Sequence, residues 1–404
     1  MNAISPFRIS GTGCALVDNL YNPIDFSGTD FIKYLSKTGG DGGLAPGKLV
    51  FTEEFEKFCG EKYFQVRDRI TRKMKPVAVN IGGPSIVSLI HAAQMLYGTN
   101  AEVSFYGGMG KDEAGSFITS KLQKTPLKVG HSKIGNLNTS FTDVLTDPDF
   151  DGGNGERVFI NNIGAAWEFL PEDLDDSFFN SDIVVFGGTA LVPHIHYSLG
   201  DLLKKAKQFK AVTVVNTVYD FLSEKTDPVK PWKLGKSVES YHSIDLLMVD
   251  MEEALRLSGT TTIIAATDFF RKAGVGALII THGSNPLHFF SNNSLFGKIA
   301  SSTLPVSERV SSELKHNSGR NGDTTGCGDN LAGGVLASIA HQLIKDPGKP
   351  INLHLALAMG IASGGYTCFY HGGTFYEEYP GQKQKIIESY YQKYINQAGI
   401  QEEK

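Results

Sequence analysis

Short apolar runs recur along the second half of the chain, at Ile183–Phe186, Val212–Val215, Leu246–Val249 and Leu278–Ile280. Between them lie segments whose apolar residues return at helical spacing, Tyr197–Gln208, Met251–Leu257 and Thr267–Ala273. Unbroken apolar runs of this length are what strands look like when both faces of a sheet are covered, because neither face then meets water. Their alternation with helices predicts repeated βαβ units, hence an α/β fold with a doubly wound, mostly parallel sheet.

The first half carries the same signals with more interruptions. Ile9–Leu20 reads as a strand running into the Gly/Ala stretch Gly11–Asp18. Asp18 is then a lone acid at the end of an apolar strand, where open α/β sheets collect ligands. The segment Asn22–Pro76 holds a Gly-rich piece, 39–47, and a predicted helix over Thr52–Cys59. Val77–Ile81 predicts a strand that leads through Gly82 and Gly83 into a helix carrying Ile86, Leu89, Ile90, Ala93 and Leu96. Paired glycines at such a junction let a ligand approach the backbone closely. Ser140–Thr146 and Glu156–Ile160 flank a turn-rich stretch and predict a hairpin. His194 and His196 are spaced as one face of a strand, with no third residue to complete a metal site. Ser307–Gly322, with Arg309, Lys315, His316 and Arg320, reads as a solvated polar loop.

The strongest chemical signal is Asp323-Thr324-Thr325-Gly326-Cys327-Gly328-Asp329. From Leu331 the apolar positions Leu331, Val335, Ile339 and Leu343, beside Ala332, Leu336, Ala340 and Ile344, predict a helix with a broad buried face. Gly326, Cys327 and Gly328 therefore sit at a helix mouth. Unpaired N–H groups and the positive end of the dipole favour an anion there, and glycine lets a phosphoryl group come close. Asp329, in the first turn, is a carboxylate placed to take the proton of an attacking hydroxyl. Two look-alikes fail: Gly11-Thr12-Gly13 lacks the third glycine of a dinucleotide fingerprint, and Asp112 follows Gly110-Lys111 where a P-loop needs Ser or Thr.

With 404 residues and 41% hydrophobic content the chain can bury a large core. A net charge of −5 with dispersed basic residues leaves no footprint for nucleic acid or an anionic membrane, so small-molecule partners are expected. Cys14, Cys59, Cys327 and Cys368 form no C-x-x-C pair, which argues against a disulfide framework and a structural zinc site. Met1–Ser10 lacks the apolar core of a secretion signal, and no run approaches the roughly 18 apolar residues of a membrane span. The cytoplasm is the expected compartment.

The heptad from Asp323 to Asp329 and the small-residue helix after it resemble the C-terminal signature of the ribokinase-like (PfkB) carbohydrate kinase family, with Cys327 replacing the usual alanine. Gly82-Gly83 resembles the N-terminal signature, although Val87 stands where the family has an asparagine. Val103–Gly115, Asp250–Glu253 and Thr281–Asn285 are similar to further family segments, and the pieces between Asn22 and Pro76 follow the order of its adenosine-kinase-like branch. Ala166 and Asp250 replace two more asparagines.

The resemblance implies one three-layer ribokinase-like domain over 1–404, with a small β lid inserted from residues 16–26, 47–51, 75–82 and 137–162. It implies transfer of the γ-phosphoryl group of ATP to a hydroxyl, usually primary, of a sugar or nucleoside. In that scheme Asp329 is the base, and Gly326, Cys327 and Gly328 form the anion hole. Asp18, Gly82 and Gly83 hold the acceptor. Thr281, Gly283, Asp323 and Thr324 meet the nucleotide, and Glu253 with Asp250 organises Mg²⁺ through water. The 307–322 loop would close over ATP or an acidic substrate. A monovalent cation and a homodimer through the lid stay open. So do two other readings, a non-catalytic sugar- or nucleotide-binding relative and a kinase of a hydroxymethyl heterocycle.

Overall fold

In the computed structural model, which describes residues 5–401 apart from 39, 154, 228, 293–294, 317–321 and 323, the apolar runs turn alternate residues to opposite sides. Ile183 and Val185 join one core and Val184 and Phe186 another, all four without solvent exposure. The two-residue period of the strand thus builds two apolar layers from one run.

The sheet between those layers has nine strands. In chain order they are β1 (Phe7–Thr12), β5 (Ala101–Gly110), β6 (Lys128–Gly135), β9 (Ile183–Gly187), β10 (Val212–Asn216), β11 (Leu246–Asp250), β12 (Ala277–Thr281), β13 (Leu287–Ser291) and β14 (Ile299–Leu304). The order across the sheet is β14-β13-β12-β11-β10-β9-β1-β5-β6. All neighbours run parallel except β12–β13 and β13–β14. One core packs against helices Pro84–Met95, Cys327–Lys345 and Leu353–Thr367, the other against Pro193–Gln208, Met251–Ser258 and Ile263–Lys272. This is the expected three-layer, doubly wound, mostly parallel architecture.

The lid is a five-stranded sheet in the order β3-β8-β7-β2-β4. Its strands are β2 (Leu16–Tyr21), β3 (Leu49–Phe51), β4 (Ala78–Gly82), β7 (Ser140–Asp147) and β8 (Glu156–Asn162). Asp18 pairs with Asn80 on one side and Thr142 on the other, and Thr142 pairs with Asn161. Directly opposed residues share a face, so Asn80, Asp18, Thr142 and Asn161 form one polar row across four strands. Their neighbours Tyr21, Leu145, Val158 and Ile160 face the other way, into an apolar cluster with Phe31, Phe55, Tyr63 and Val66. The segment 22–76, with helices Thr52–Cys59 and Tyr63–Ile70, therefore covers the outer face of the lid. A homodimer through that face would meet the chain's own residues first.

Three sequence expectations change. Ile9–Leu20 is two strands, broken at Gly13, Cys14 and Ala15, so Asp18 lies within the lid strand β2 and not at the end of a core strand. Gly13 marks a tight crossing, since a Cβ there would lie 2.3 Å from the Gly187 carbonyl oxygen. His194 and His196 belong to a helix opened by Pro193, and His196 is held by the Thr189 hydroxyl and the Lys233 carbonyl at 2.9 Å each. The first half of the 307–322 loop is the helix Glu308–His316. Val310 buries against the core and Arg309 pairs with Glu313 one turn on. Arg309 also lies over the Tyr390 ring at 3.9 Å, so it is docked on the helix Gln382–Ala398. Arg320 lies outside the described residues.

Among the described residues no helix is long and apolar enough to cross a membrane.

The lid's cover hinges on a buried carboxylate. Asp143, fully buried, accepts hydrogen bonds from Asn19 Nδ2 at 2.8 Å and the Tyr63 hydroxyl at 2.5 Å, with Arg67 3.8 Å away. Tyr63→Phe removes one of those donors and should lower the unfolding free energy by about 1–3 kcal/mol. Urea unfolding of the two proteins measures it, and equal midpoints would show that the bond is not a support of the lid.

Candidate active site

The helix Cys327–Lys345 starts at a glycine for two physical reasons. Gly326 adopts φ +77°, and a Cβ there would lie 2.3 Å from Gly373 Cα. At Gly328 a Cβ would meet nothing within 4 Å, so the first turn opens onto free space. Between these two needs, one for closeness and one for room, the helix begins with the Cys327 N–H donating to the Thr324 carbonyl at 3.3 Å and with Gly328 facing open space.

Asn330, fully buried in the same turn, ties this loop together. Its Nδ2 donates to the carbonyls of Gly326 and Gly373, both at 2.8 Å. Its Oδ1 accepts from Lys383 Nζ at 2.7 Å and from the Tyr370 hydroxyl at 3.3 Å. Lys383 is 1% exposed, and burial pulls its ammonium down to about 7 while Glu377 opposes that shift. Lys383 lies beyond every sequence motif, and nothing in its local pattern marks it as a buried cation.

Asp329 is half-buried at the mouth of this helix, and burial pushes its carboxyl up to about 6. Across the cleft, Asp18 lies over Gly82, where a Cβ would come within 2.2 Å of its Oδ2. Gly83, at φ +109°, leaves the same kind of room for the Cys14 carbonyl. The Cys14 thiol is pushed up by burial and then by the charges of Asp18 and Asp329, so both carboxylates lie within electrostatic reach of one atom. The lid acid and the helix-mouth acid therefore both lie near Cys14.

Asp250 and Glu253 are first of all a helix cap. Glu253 N donates to Asp250 Oδ1 at 2.7 Å and Asp250 N to Glu253 Oε2 at 3.0 Å, the reciprocal pairing that a D-x-x-E start permits. The Thr217 hydroxyl also donates to Glu253 at 2.5 Å. Burial, then Asp250, and more weakly Asp329 push the Glu253 carboxyl up to about 8, which places this cap beside the cleft. Asp250 is opposite Thr281 in the β11–β12 register, and Gly283 follows at φ +56° with open space around it. These positions lie at the carboxyl ends of the parallel strands, where such sheets bind ligands. Asp323 lies outside the described residues.

Arg157, like Asn80, Thr142 and Asn161, is marked by no sequence motif. Arg157 on β8 shares the face of Phe159 and Asn161, and its guanidinium reaches the Thr325 hydroxyl at 3.3 Å and that of Thr324 at 3.5 Å. The strand alternation Arg157, Phe159, Asn161 carried the signal, but the face turned toward the cleft was not readable until β2 and β8 were placed in one sheet.

Two of the three positions that lack the family's asparagine are apolar packing sites. Val87 lies against Gly373, and Ala166 belongs to the cluster with Phe169 and Tyr106. The polar row of the lid offers amides instead. Asn161 Nδ2 donates to Thr142 Oγ1 at 2.9 Å, while Asn161 Oδ1 and Asn80 Nδ2 are buried without a partner among the described residues.

The pfkB family carbohydrate kinase profile matches residues 60–377. The fold is similar to that of adenosine kinase from Schistosoma mansoni in complex with 2-fluoroadenosine, with a TM-score of 0.68 and 17% identity over 92% of this chain and 98% of that one. A probable sugar kinase from Rhizobium etli CFN 42 gives 0.68 and 17% over 98% and 100% of the two chains. Adenosine kinase from Sinorhizobium meliloti gives 0.68 and 16% over 95% and 99%. At such identities the likeness is one of fold. No curated protein matches the chain.

Lys383 makes the stability of the site pH-dependent. Between about pH 7, its folded value, and about 10.4, its ordinary value, the unfolded chain holds the extra proton, so stability rises with pH. Below pH 7 the cost of burying the charge is present in full. Wild type should therefore gain stability relative to Lys383→Met between pH 7 and pH 9 in urea unfolding. Parallel pH curves would mean that Lys383 is not titrating in this way.

Proposed function

Because the chain belongs to the PfkB family of carbohydrate kinases, we propose that it transfers the γ-phosphoryl group of ATP to a hydroxyl of a sugar or nucleoside. The observation that carries this reading is the Asp329 carboxyl, raised to about 6 and set in the first turn of a helix whose mouth is left open by Gly328. A base needs a pKa near the working pH, and an anion needs backbone donors; Asp329 and the amides of Gly326 and Gly328 lie within one turn, while the Cys327 N–H donates to the Thr324 carbonyl at 3.3 Å.

The proposed steps follow from the chain's own groups. Asp18, fixed over Gly82, accepts hydrogen bonds from the acceptor and orients it. Asp329 takes the proton of the attacking hydroxyl. The amides of Gly326 and Gly328 stabilise the charge on the moving phosphoryl group, and Arg157 brings a lid cation to the same loop. Thr281 and Gly283 border the nucleotide. Closure of the lid keeps out water that would otherwise accept the phosphoryl group.

Asp250 and Glu253 suit an outer role toward Mg²⁺, as acceptors for metal-bound water. Among the described residues no group of three or more His, Cys, Asp or Glu could ligate a metal directly. Mg²⁺ arriving with ATP would supply neutralisation of the phosphate charge.

The row Asn80, Asp18, Thr142 and Asn161 supports an acceptor with several hydroxyls. It supplies two amides from the lid, whereas Val87 and Ala166 supply none from the body. Buried amide ends without partners are costly unless a ligand or water completes them, which favours a ribose or hexose over a hydroxymethyl heterocycle.

Two experiments test this. ADP release with Mg-ATP should appear with at least one of adenosine, pentoses, hexoses or sugar acids, and Asp329→Asn should lower kcat by about 10²–10⁴. The wild-type rate should rise as pH increases through about 6, since the base acts only when deprotonated. Turnover that survives in Asp329→Asn would remove the base assignment. Separately, Asn80→Leu and Asn161→Leu should each raise the acceptor KM by about tenfold, one lost hydrogen bond, and leave the KM for ATP unchanged. An unchanged acceptor KM would remove the lid row from the acceptor site.

A further inference from the structure

The residue that departs from the family pattern within the anion hole is a cysteine, and it has a neighbour of the same kind. Cys327 Sγ lies 3.5 Å from Cys368 Sγ, although the two are 41 positions apart in the chain. Cys327 opens the helix Cys327–Lys345, and Cys368 caps the end of Leu353–Thr367. Both are half-buried.

Small residues hold the two helices at this spacing. A Cβ at Gly364 would lie 2.7 Å from the Cys327 carbonyl oxygen, and one at Gly334 would lie 2.5 Å from Ser363 Oγ. A Cβ at Gly360 would meet Val335 at 2.7 Å. The thiols are thus brought together by close packing of helix on helix along several turns, and not by a chance rotamer on a loose segment.

We propose that Cys327 and Cys368 are an oxidisable dithiol, a covalent modification site built into the anion hole, with hydrogen peroxide as the class of oxidant. This rests on the anion-hole reading above for its effect on activity, though not for the bond itself. One thiolate attacks a peroxide oxygen, breaking the O–O bond to give a sulfenic acid and one water after protonation. The second thiolate then attacks that sulfur, and the hydroxyl leaves as a second water. Two thiols lose two electrons and two protons in all, and one peroxide becomes two waters.

A bond of about 2.0 Å must replace a gap of 3.5 Å, so Cys327 is drawn toward the other helix. Its backbone links the Gly326 and Gly328 amides of the proposed anion hole, and a displacement of about 1 Å at such a site can cost on the order of 10²-fold in rate. The remaining cysteines are poor candidates for this pairing. The Cys14 thiol is buried and held protonated by burial and nearby carboxylates, and Cys59 Sγ lies at the Glu56 and Glu61 carbonyls in the lid cover.

The test treats the full chain with hydrogen peroxide and maps its tryptic peptides by mass spectrometry, before and after dithiothreitol. A Cys327–Cys368 cross-link that dithiothreitol removes is expected. ADP release should fall at least about tenfold with the cross-link and recover on reduction, while Cys368→Ser keeps its activity through the same treatment. Peptides that carry only separate sulfinic or unmodified cysteines would overturn the proposal, as would equal inactivation of wild type and Cys368→Ser. The peptide map is decided without any turnover. A cross-linked protein with no kinase activity under any condition would therefore count against the proposed function and leave the dithiol standing.

Discussion

The hydrogen bonds of one buried side chain hold the site's geometry together. Asn330 spans the carbonyls of Gly326 and Gly373 with its amide nitrogen and receives Lys383 on its amide oxygen. The glycines that give the loop its shape also make it pliable, because neither carries a side chain to pack. Asn330 supplies the missing rigidity from beneath, and Lys383 orients Asn330 from the far C-terminal helix. The Lys383 amine thus lies behind the turn that is proposed to face an anion. The order of the chain hides this: the loop and its clamp open one helix, while Lys383 comes from the last helix of the chain's described residues.

The lid shows the same economy in another form. A strand offers two faces for one backbone, and the lid uses both fully. One carries Asn80, Asp18, Thr142, Asn161 and Arg157 toward the cleft, and the other carries Tyr21, Leu145, Val158 and Ile160 into an apolar cover. A slip of one residue in the β2–β7 register would turn Asp18 outward and Asn19 inward, so the hydrophobic cover protects the chemistry by fixing the register.

What the sequence revealed follows from the range over which each signal acts. Ile183–Phe186 and its fellows announced the parallel sheet because a strand buried on both faces needs only local composition to be read. The 323–329 heptad and the helix after it were legible because helix-mouth chemistry depends on consecutive residues. Asp18 reads locally as the end of an apolar strand, whereas the family resemblance put residues 16–26 in the lid, and the pairing of β2 with β4 and β7 agrees with the resemblance. The helix Glu308–His316 was missed because Val310 and Leu314 give too thin an apolar stripe. Its partner, Tyr390, lies in a helix that no motif had marked. Arg157, Asn80 and Lys383 act through contacts with distant residues, and no local spacing encodes such contacts.

The cover supplied by residues 22–76 bears on the proposed closure of the lid. A bare sheet of five strands would expose its outer apolar face each time it swung away from the body, and would need a neighbouring subunit to hide it. Here the face is sealed by helices continuous with the same strands, and Asp143 locks the two layers through Tyr63 and Asn19. The moving part is then a small two-layer body with a finished interior. Were it to open, the face turned to water would be the one that carries Asn80, Asp18, Thr142, Asn161 and Arg157 beside Phe159, while the apolar cluster of the outer face would stay covered.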